Sequence, residues 1–350
     1  MKINKNKFGF TLIEIMVGLI IGMFVSLAAY STLNYFNSTA KNSANYNNAL
    51  QSSVVGMNVL ASDIKNAGLG MHAGDTVLCS RINMPFADGT VQYDGVDIGP
   101  VLLDGSGASD VISVSYSDSI KSGAVSELLQ LMTADNSDYL VNKGSNFANG
   151  NVVIISDENN EFPCTVATVT AVANKITTPK GSLLSHGVPA YATPARYRVG
   201  SYVSLFSNFI WSEYSLNGSG LSLKNKLDDA SYDLLDNVVG LRTQYGITNG
   251  TSNTVSTWVD PVGADWGFGN VSIDNKSRIR AIRVSMLVRS GMPSEKLDGS
   301  CSTTNVLPEP WAGAAVAFDG IDTVANWDCY KYKLLSEIIP VKNIIYGYNY

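Results

Sequence analysis

Histidine is nearly absent: the chain has two, His72 and His186, far apart in sequence. Neither sits in an HExxH pair. No Gly-x-Ser-x-Gly elbow, P-loop or Rossmann glycine fingerprint occurs anywhere. The sequence therefore offers no catalytic constellation and no cofactor signature, and a non-enzymatic role is expected. Charge is also scarce, at 15% of residues. The 24 basic residues, against 30 acidic ones, are neither abundant nor clustered, which excludes a nucleic-acid-binding surface. The four cysteines, Cys79, Cys164, Cys301 and Cys329, show no CxxC-like spacing, so their pattern gives little support to a structural zinc site and no metal is expected. The acidic run Asp157-Glu158-Asn159-Asn160-Glu161 lacks EF-hand spacing and reads as a solvated loop rather than a calcium site.

Proline is missing before Pro85, which leaves the amino-terminal stretch free to form one uninterrupted helix. A short basic leader with Lys2, Lys5 and Lys7 precedes a nearly unbroken apolar run from Phe10 to Ala29, interrupted chiefly by Glu14. About 20 such residues span a hydrocarbon core of roughly 30 Å. The lysines are expected to stay cytoplasmic, placing the rest of the chain on the far side of the membrane. Beyond Tyr30 the pattern turns amphipathic, with Leu33, Phe36, Ala40, Ala44, Leu50, Val54, Met57, Ala61 and Ile64 as the apolar stripe. Asn66-Ala67-Gly68 gives a stop, with Gly68 free to take a left-handed cap.

The octapeptide Lys7-Phe8-Gly9-Phe10-Thr11-Leu12-Ile13-Glu14 resembles the processing site of type IV prepilins and pseudopilins. That resemblance implies cleavage by prepilin peptidase between Gly9 and Phe10, then N-methylation of Phe10. It makes Glu14 the fifth residue of the mature chain. On a bilayer scale a carboxylate at the middle of a span costs about 2.5–3.5 kcal/mol. The resemblance assigns Glu14 an assembly role, pairing with the amino terminus of a neighbouring subunit. Read from the residues alone, Glu14 lies in the first helical turn, where the helix dipole favours an anion.

Three further segments resemble PilW-type minor pilins: Leu60 to Gly68, Leu234 to Ile247, and Ile279 to Ser290. The implied protein is a minor pilin that helps to prime filament assembly and forms part of the pilus tip complex. Its implied partners are other minor pilins, the major pilin, prepilin peptidase, the inner membrane and a tip adhesin. It would start as a single-pass inner-membrane protein with a periplasmic head, then reach the pilus tip at the cell surface. A J-like minor pseudopilin of type II secretion is the alternative in the same class. A single-span receptor or enzyme with a β domain is the alternative in another.

The expected fold is α+β: a leader (1–9), a long helix (10–66, with 10–31 spanning the membrane) and a β-rich head (67–350). Candidate strands are Asp110–Tyr116, Glu127–Thr133, Val152–Ser156, Thr165–Ala173, Tyr197–Phe206, Phe209–Leu216, Leu221–Lys224, Val238–Ile247 and Ile279–Arg289. Ile338–Val341 is a further strand-like run. Gly181–Ala195, with two prolines, is a candidate internal boundary. Four cysteines allow three pairings. Cys301 with Cys329 closes a moderate loop, and Cys79 with Cys164 follows by elimination. In the Ile279–Ser290 segment, Ile282, Val284, Met286 and Val288 alternate with Arg283, Ser285, Leu287 and Arg289. The arginines are expected to solvate an outer face, with electrostatic docking as the other reading.

Overall fold

The structure, a computed structural model, describes residues 11–73, 76–77, 79–85, 90–117, 125–133, 138–157, 159–175, 181–192, 196–206, 208–218, 220–250, 252–294, 300–301 and 303–347. The fold is α+β, with one long helix seated on a large, mostly antiparallel β head. The helix runs from Leu12 to Asn66, 55 residues, or about 82 Å at 1.5 Å per residue. With no proline to interrupt it, its stability rests on what its faces touch.

Those faces divide it into two halves. From Leu12 to Phe36 its large apolar side chains are exposed along the whole length. From Ala49 onward a stripe turns into the head: Ala49, Ser53, Gly56, Met57, Leu60, Ala61, Ile64 and Ala67 are buried. The expected stripe is correct from Met57 onward. Earlier it is displaced by one residue, because Ala49 and Ser53 face the head while Leu50 is half-buried and Val54 is exposed. The small side chains face the head because its strands approach closest there. A Cβ on Gly56 would run into the Leu235 side chain.

Two sheets share the core under this half-helix. A five-stranded antiparallel sheet takes, in spatial order, Ser231–Asp236, Gly220–Asn225, Phe209–Asn217, Val111–Ser117 and Val101–Asp104. A four-stranded antiparallel sheet takes Thr257–Val259, Val238–Ile247, Ile279–Arg289 and Tyr332–Pro340. The chain passes from the first to the second through Asn237, which adopts a left-handed φ of 64°, a conformation asparagine tolerates better than most residues.

An eight-stranded outer sheet is built from strands between Arg81 and Leu205. Its pairings are antiparallel except where Cys164 and Thr165 run parallel to Ile82 and Asn83. The Cys79–Cys164 disulfide lies at this parallel contact. One apolar cluster fills the inside of the outer sheet, and a second, around Phe206 and Trp211, lies where it meets the five-stranded sheet.

Several sequence expectations change. The Gly181–Ala195 stretch is not a boundary: Gly181–Gly187 is a strand paired along Cys164–Lys175. Glu127–Thr133 and Tyr197–Phe206 contribute only the short strands Val125–Glu127 and Tyr202–Leu205. His186 is buried with its ring against Tyr139, 4.9 Å between centroids.

Candidate assembly surface and its seat in the head

The functional element is the long helix. Thr11 is its N-cap, in extended conformation, and Glu14 completes a capping box. The Thr11 N–H and hydroxyl both donate to Glu14 Oε2 at 2.9 Å. The Glu14 N–H donates to Thr11 Oγ1 at 3.4 Å. This satisfies orphan amides of the first turn. Both side-chain bonds use Oε2, and Oε1 has no partner among the described residues. Glu14 therefore sits in the first turn. Gly9 and Phe10, the expected cleavage pair, lie outside the described residues. Gly18 and Gly22 have nothing near their Cβ positions.

At the other end the helix is locked into the head by polar contacts. Asp63 accepts hydrogen bonds from the Tyr116 hydroxyl at 2.9 Å and the Tyr214 hydroxyl at 2.6 Å. These tyrosines come from adjacent strands of the five-stranded sheet, where Ile210 and Tyr116 are register partners. Burial, together with the Asp63 carboxylate, pushes the Tyr214 phenol well above its ordinary range. Lys65 Nζ lies 3.8 Å from Glu337, an exposed pair of little energetic weight. The helix ends at Ala67, and Gly68 follows at φ 79°, as its glycine suggests. Asn343 Nδ2 then donates to the carbonyls of Asn66 at 2.9 Å and Ala67 at 3.1 Å. It closes the helix terminus from almost the far end of the chain.

The head itself is held by buried charge. Arg242 and Asp110 pair at 2.8 Å with side chains 4% and 3% exposed. Arg242 also donates to the Ala317 and Gly107 carbonyls and to Asp319. Asp110 accepts from the Thr243 N–H and hydroxyl at 2.6 and 2.7 Å. Lys276 donates to the Ser80 and Ile98 carbonyls at 3.1 and 2.9 Å. Burial pushes its ammonium down to about 8.

The alternating arginines of Ile279–Arg289 neither solvate a free face nor offer a docking face. Arg283 lies over the Trp258 ring at 4.2 Å and beside Trp311. Arg289 lies over Tyr330 at 4.4 Å. Described residues from 303 to 331 cover this face, anchored by Ser285 donating to Pro310 and by the Cys301–Cys329 disulfide. Leu287 is buried beneath them. Asp328 lies beside the two sulfurs, which are bonded to each other rather than available as thiolates. In the acidic loop, Asp157 is buried and accepts the Glu161 N–H at 3.2 Å, and Glu161 pairs with Arg198 at 2.7 Å.

The helix thus presents an exposed apolar half, opened by a capping-box glutamate, and is seated by its other half on the β head. Two families match the chain. The prokaryotic N-terminal methylation motif covers residues 4–30. The family described as Type IV Pilus-assembly protein W covers residues 206–343. The chain is a type IV pilin-like protein of the PilW type. No curated protein matches it, and no solved structure does. The pilin's PilW match begins just before the Phe209–Asn217 strand of the five-stranded sheet and ends at Asn343, so it takes in Tyr214, the whole four-stranded sheet and the helix-closing asparagine. The eight-stranded outer sheet precedes it. This is a minor pilin of the type IV pilus, anchored through its apolar helix, the one helix among the described residues that is long and apolar enough to cross a membrane.

Proposed function

We propose that this minor pilin primes assembly of the filament and forms part of the complex at its tip. The observation that carries the reading is the exposed apolar half-helix from Leu12 to Phe36. In water that surface is untenable, so it requires first lipid and then other helices. Prepilin peptidase cuts between Gly9 and Phe10, and Phe10 is then methylated. The free Oε1 of Glu14 receives the amino terminus of a neighbouring subunit, while Oε2 keeps the first turn capped through Thr11. The working parts are a leader (1–9), the helix (10–66, membrane-spanning over 10–31) and a head (67–350) that starts in the periplasm. The head, with its eight-, five- and four-stranded sheets, suits a place with few lateral neighbours, where it contacts other minor pilins, the major pilin below and an adhesin above.

Mass spectrometry of the mature amino terminus tests the first step, with N-methylated Phe10 expected. Glu14→Ala should leave cleavage intact and reduce surface filaments to a small fraction. A retained leader, or unchanged filaments in Glu14→Ala, overturns the reading. Normal filaments with failed protein secretion in a deletion strain would instead assign the chain to type II secretion.

A further inference from the structure

The strand Tyr332–Pro340 is the edge of the four-stranded sheet, paired along its full length with Ile279–Arg289 and with no bulge. Its main-chain polarity follows from two bonds. The Ser290 N–H donates to the Lys331 carbonyl at 2.8 Å, and the Val341 N–H donates to the Arg280 carbonyl at 3.0 Å. Both fall on the register that sets Tyr332 opposite Arg289. Hydrogen bonding alternates along an antiparallel pair, so odd-numbered residues aim their main-chain groups at the neighbouring strand. Leu334, Ser336 and Ile338 therefore aim their N–H and C=O groups outward, and these have no partner among the described residues.

A protected edge carries a bulge, an inward charge, a lysine or a proline. This strand has an exposed lysine, Lys333, near one end and Pro340 at the other, which leaves the stretch between them open. Here the residues on the face away from the helix, Leu334, Ser336 and Ile338, are uncharged, and Ile338 is 55% exposed. A cavity of about 630 Å³ opens beside the same edge, between residues 303–308 and Tyr332, Lys333 and Leu334. Val306 at its lip is 81% exposed. The edge thus offers an open ladder and a recess for one side chain, which fits an extended backbone.

We propose that this edge accepts an extended segment from the head of a neighbouring pilin of different sequence, which adds a fifth strand to the four-stranded sheet. The proposal rests on the pilus reading above. The occupant follows from position. The strand flanks the seated half of the helix, with Glu337 beside Lys65, and that helix continues into the exposed apolar length along which another subunit stacks. A neighbour laid against the helix brings its head to this edge.

The test is a photo-crosslinking residue at Lys333 in the full-length chain, expressed in piliated cells. Ile338→Pro deletes one outward N–H without removing a bond to the neighbouring strand. Ile338→Thr retains that N–H. Ile338→Lys guards the edge should the proline variant fail to accumulate. The expected result is an adduct with the head of another pilin, reduced about ten-fold by Ile338→Pro or Ile338→Lys and held by Ile338→Thr, since one lost hydrogen bond is worth about 1.4 kcal/mol here. Absence of such an adduct, equal yield in all variants, or an adduct between two copies of this chain overturns the proposal. If filaments form and incorporate the chain in any of those cases, the strand addition fails while the pilus reading stands.

Discussion

The tie between helix and head can be weighed by removing Asp63. Its carboxylate receives both the Tyr116 and Tyr214 hydroxyls, and those tyrosines are 6% and 0% exposed. Asp63→Ala removes the acceptor of the Tyr214 phenol and one contact of Tyr116, and a buried phenol left without an acceptor costs about 1–3 kcal/mol. Asp63 itself is half-buried, so water reaches part of the vacated space, and the expected loss is about 2–3 kcal/mol. That is a large fraction of a typical folding free energy of about 5–15 kcal/mol. Urea unfolding of the mature chain in mild detergent, followed by tryptophan fluorescence, reads it out as a lower midpoint at unchanged slope. The decisive comparison is the same substitution in a Tyr116→Phe/Tyr214→Phe background. There no hydroxyl is orphaned, and the additional loss should fall below about 1 kcal/mol. An Asp63→Ala chain as stable as wild type, or an equal loss in both backgrounds, refutes the account.

Three other predictions follow from the head. Lys276 has its folded-state value pushed down to about 8 from 10.5, so between those pH values the unfolded chain holds more protons and stability rises with pH, by up to about 3 kcal/mol. Lys276→Met should flatten that rise in unfolding measurements from pH 7 to 10. Gly56→Val drives a side chain into Leu235 and should cost about 1–3 kcal/mol, part of it recovered by Leu235→Ala, as read by thermal melts. Arg242→Met strands the buried Asp110 carboxylate and should cost about 3–5 kcal/mol, whereas adding Asp110→Asn should return a share of it in the same urea assay.

Much of the frame was legible because it rests on local pattern. The helix end at Gly68 follows from a glycine that alone among its neighbours takes φ 79° cheaply. The strands Val152–Ser156, Val238–Ile247 and Ile279–Arg289 match their expected limits, since β-branched runs bounded by turn residues carry that signal by themselves. What escaped depends on distant chain. The arginines of Ile279–Arg289 read as solvated because nothing local announces that residues from 303 to 331 cover them. The helix stripe slipped by one residue near Ala49 because burial there follows how closely the head approaches, and that favours alanine, serine and glycine over larger apolar side chains. Asp63 lies in the Leu60–Gly68 segment that carries a family resemblance, yet the resemblance names no partner for it, and Lys276 and Asn343 carry no motif. Their partners, Tyr116 and Tyr214, Ser80 and Ile98, and Asn66, become neighbours only through the sheets. A weak signal existed for Asp63, an acid set on an otherwise apolar helix face.

The closure of the helix by Asn343 has a bearing on biogenesis. The carbonyl of Asn66 waits for a donor 277 positions later, and the edge strand that flanks the helix also follows it by a long stretch of chain. Synthesis from the amino terminus therefore delivers the helix well before the groups that fasten its far end. A chain that stops before residue 332 would hold an open helix end and a three-stranded remnant of the four-stranded sheet.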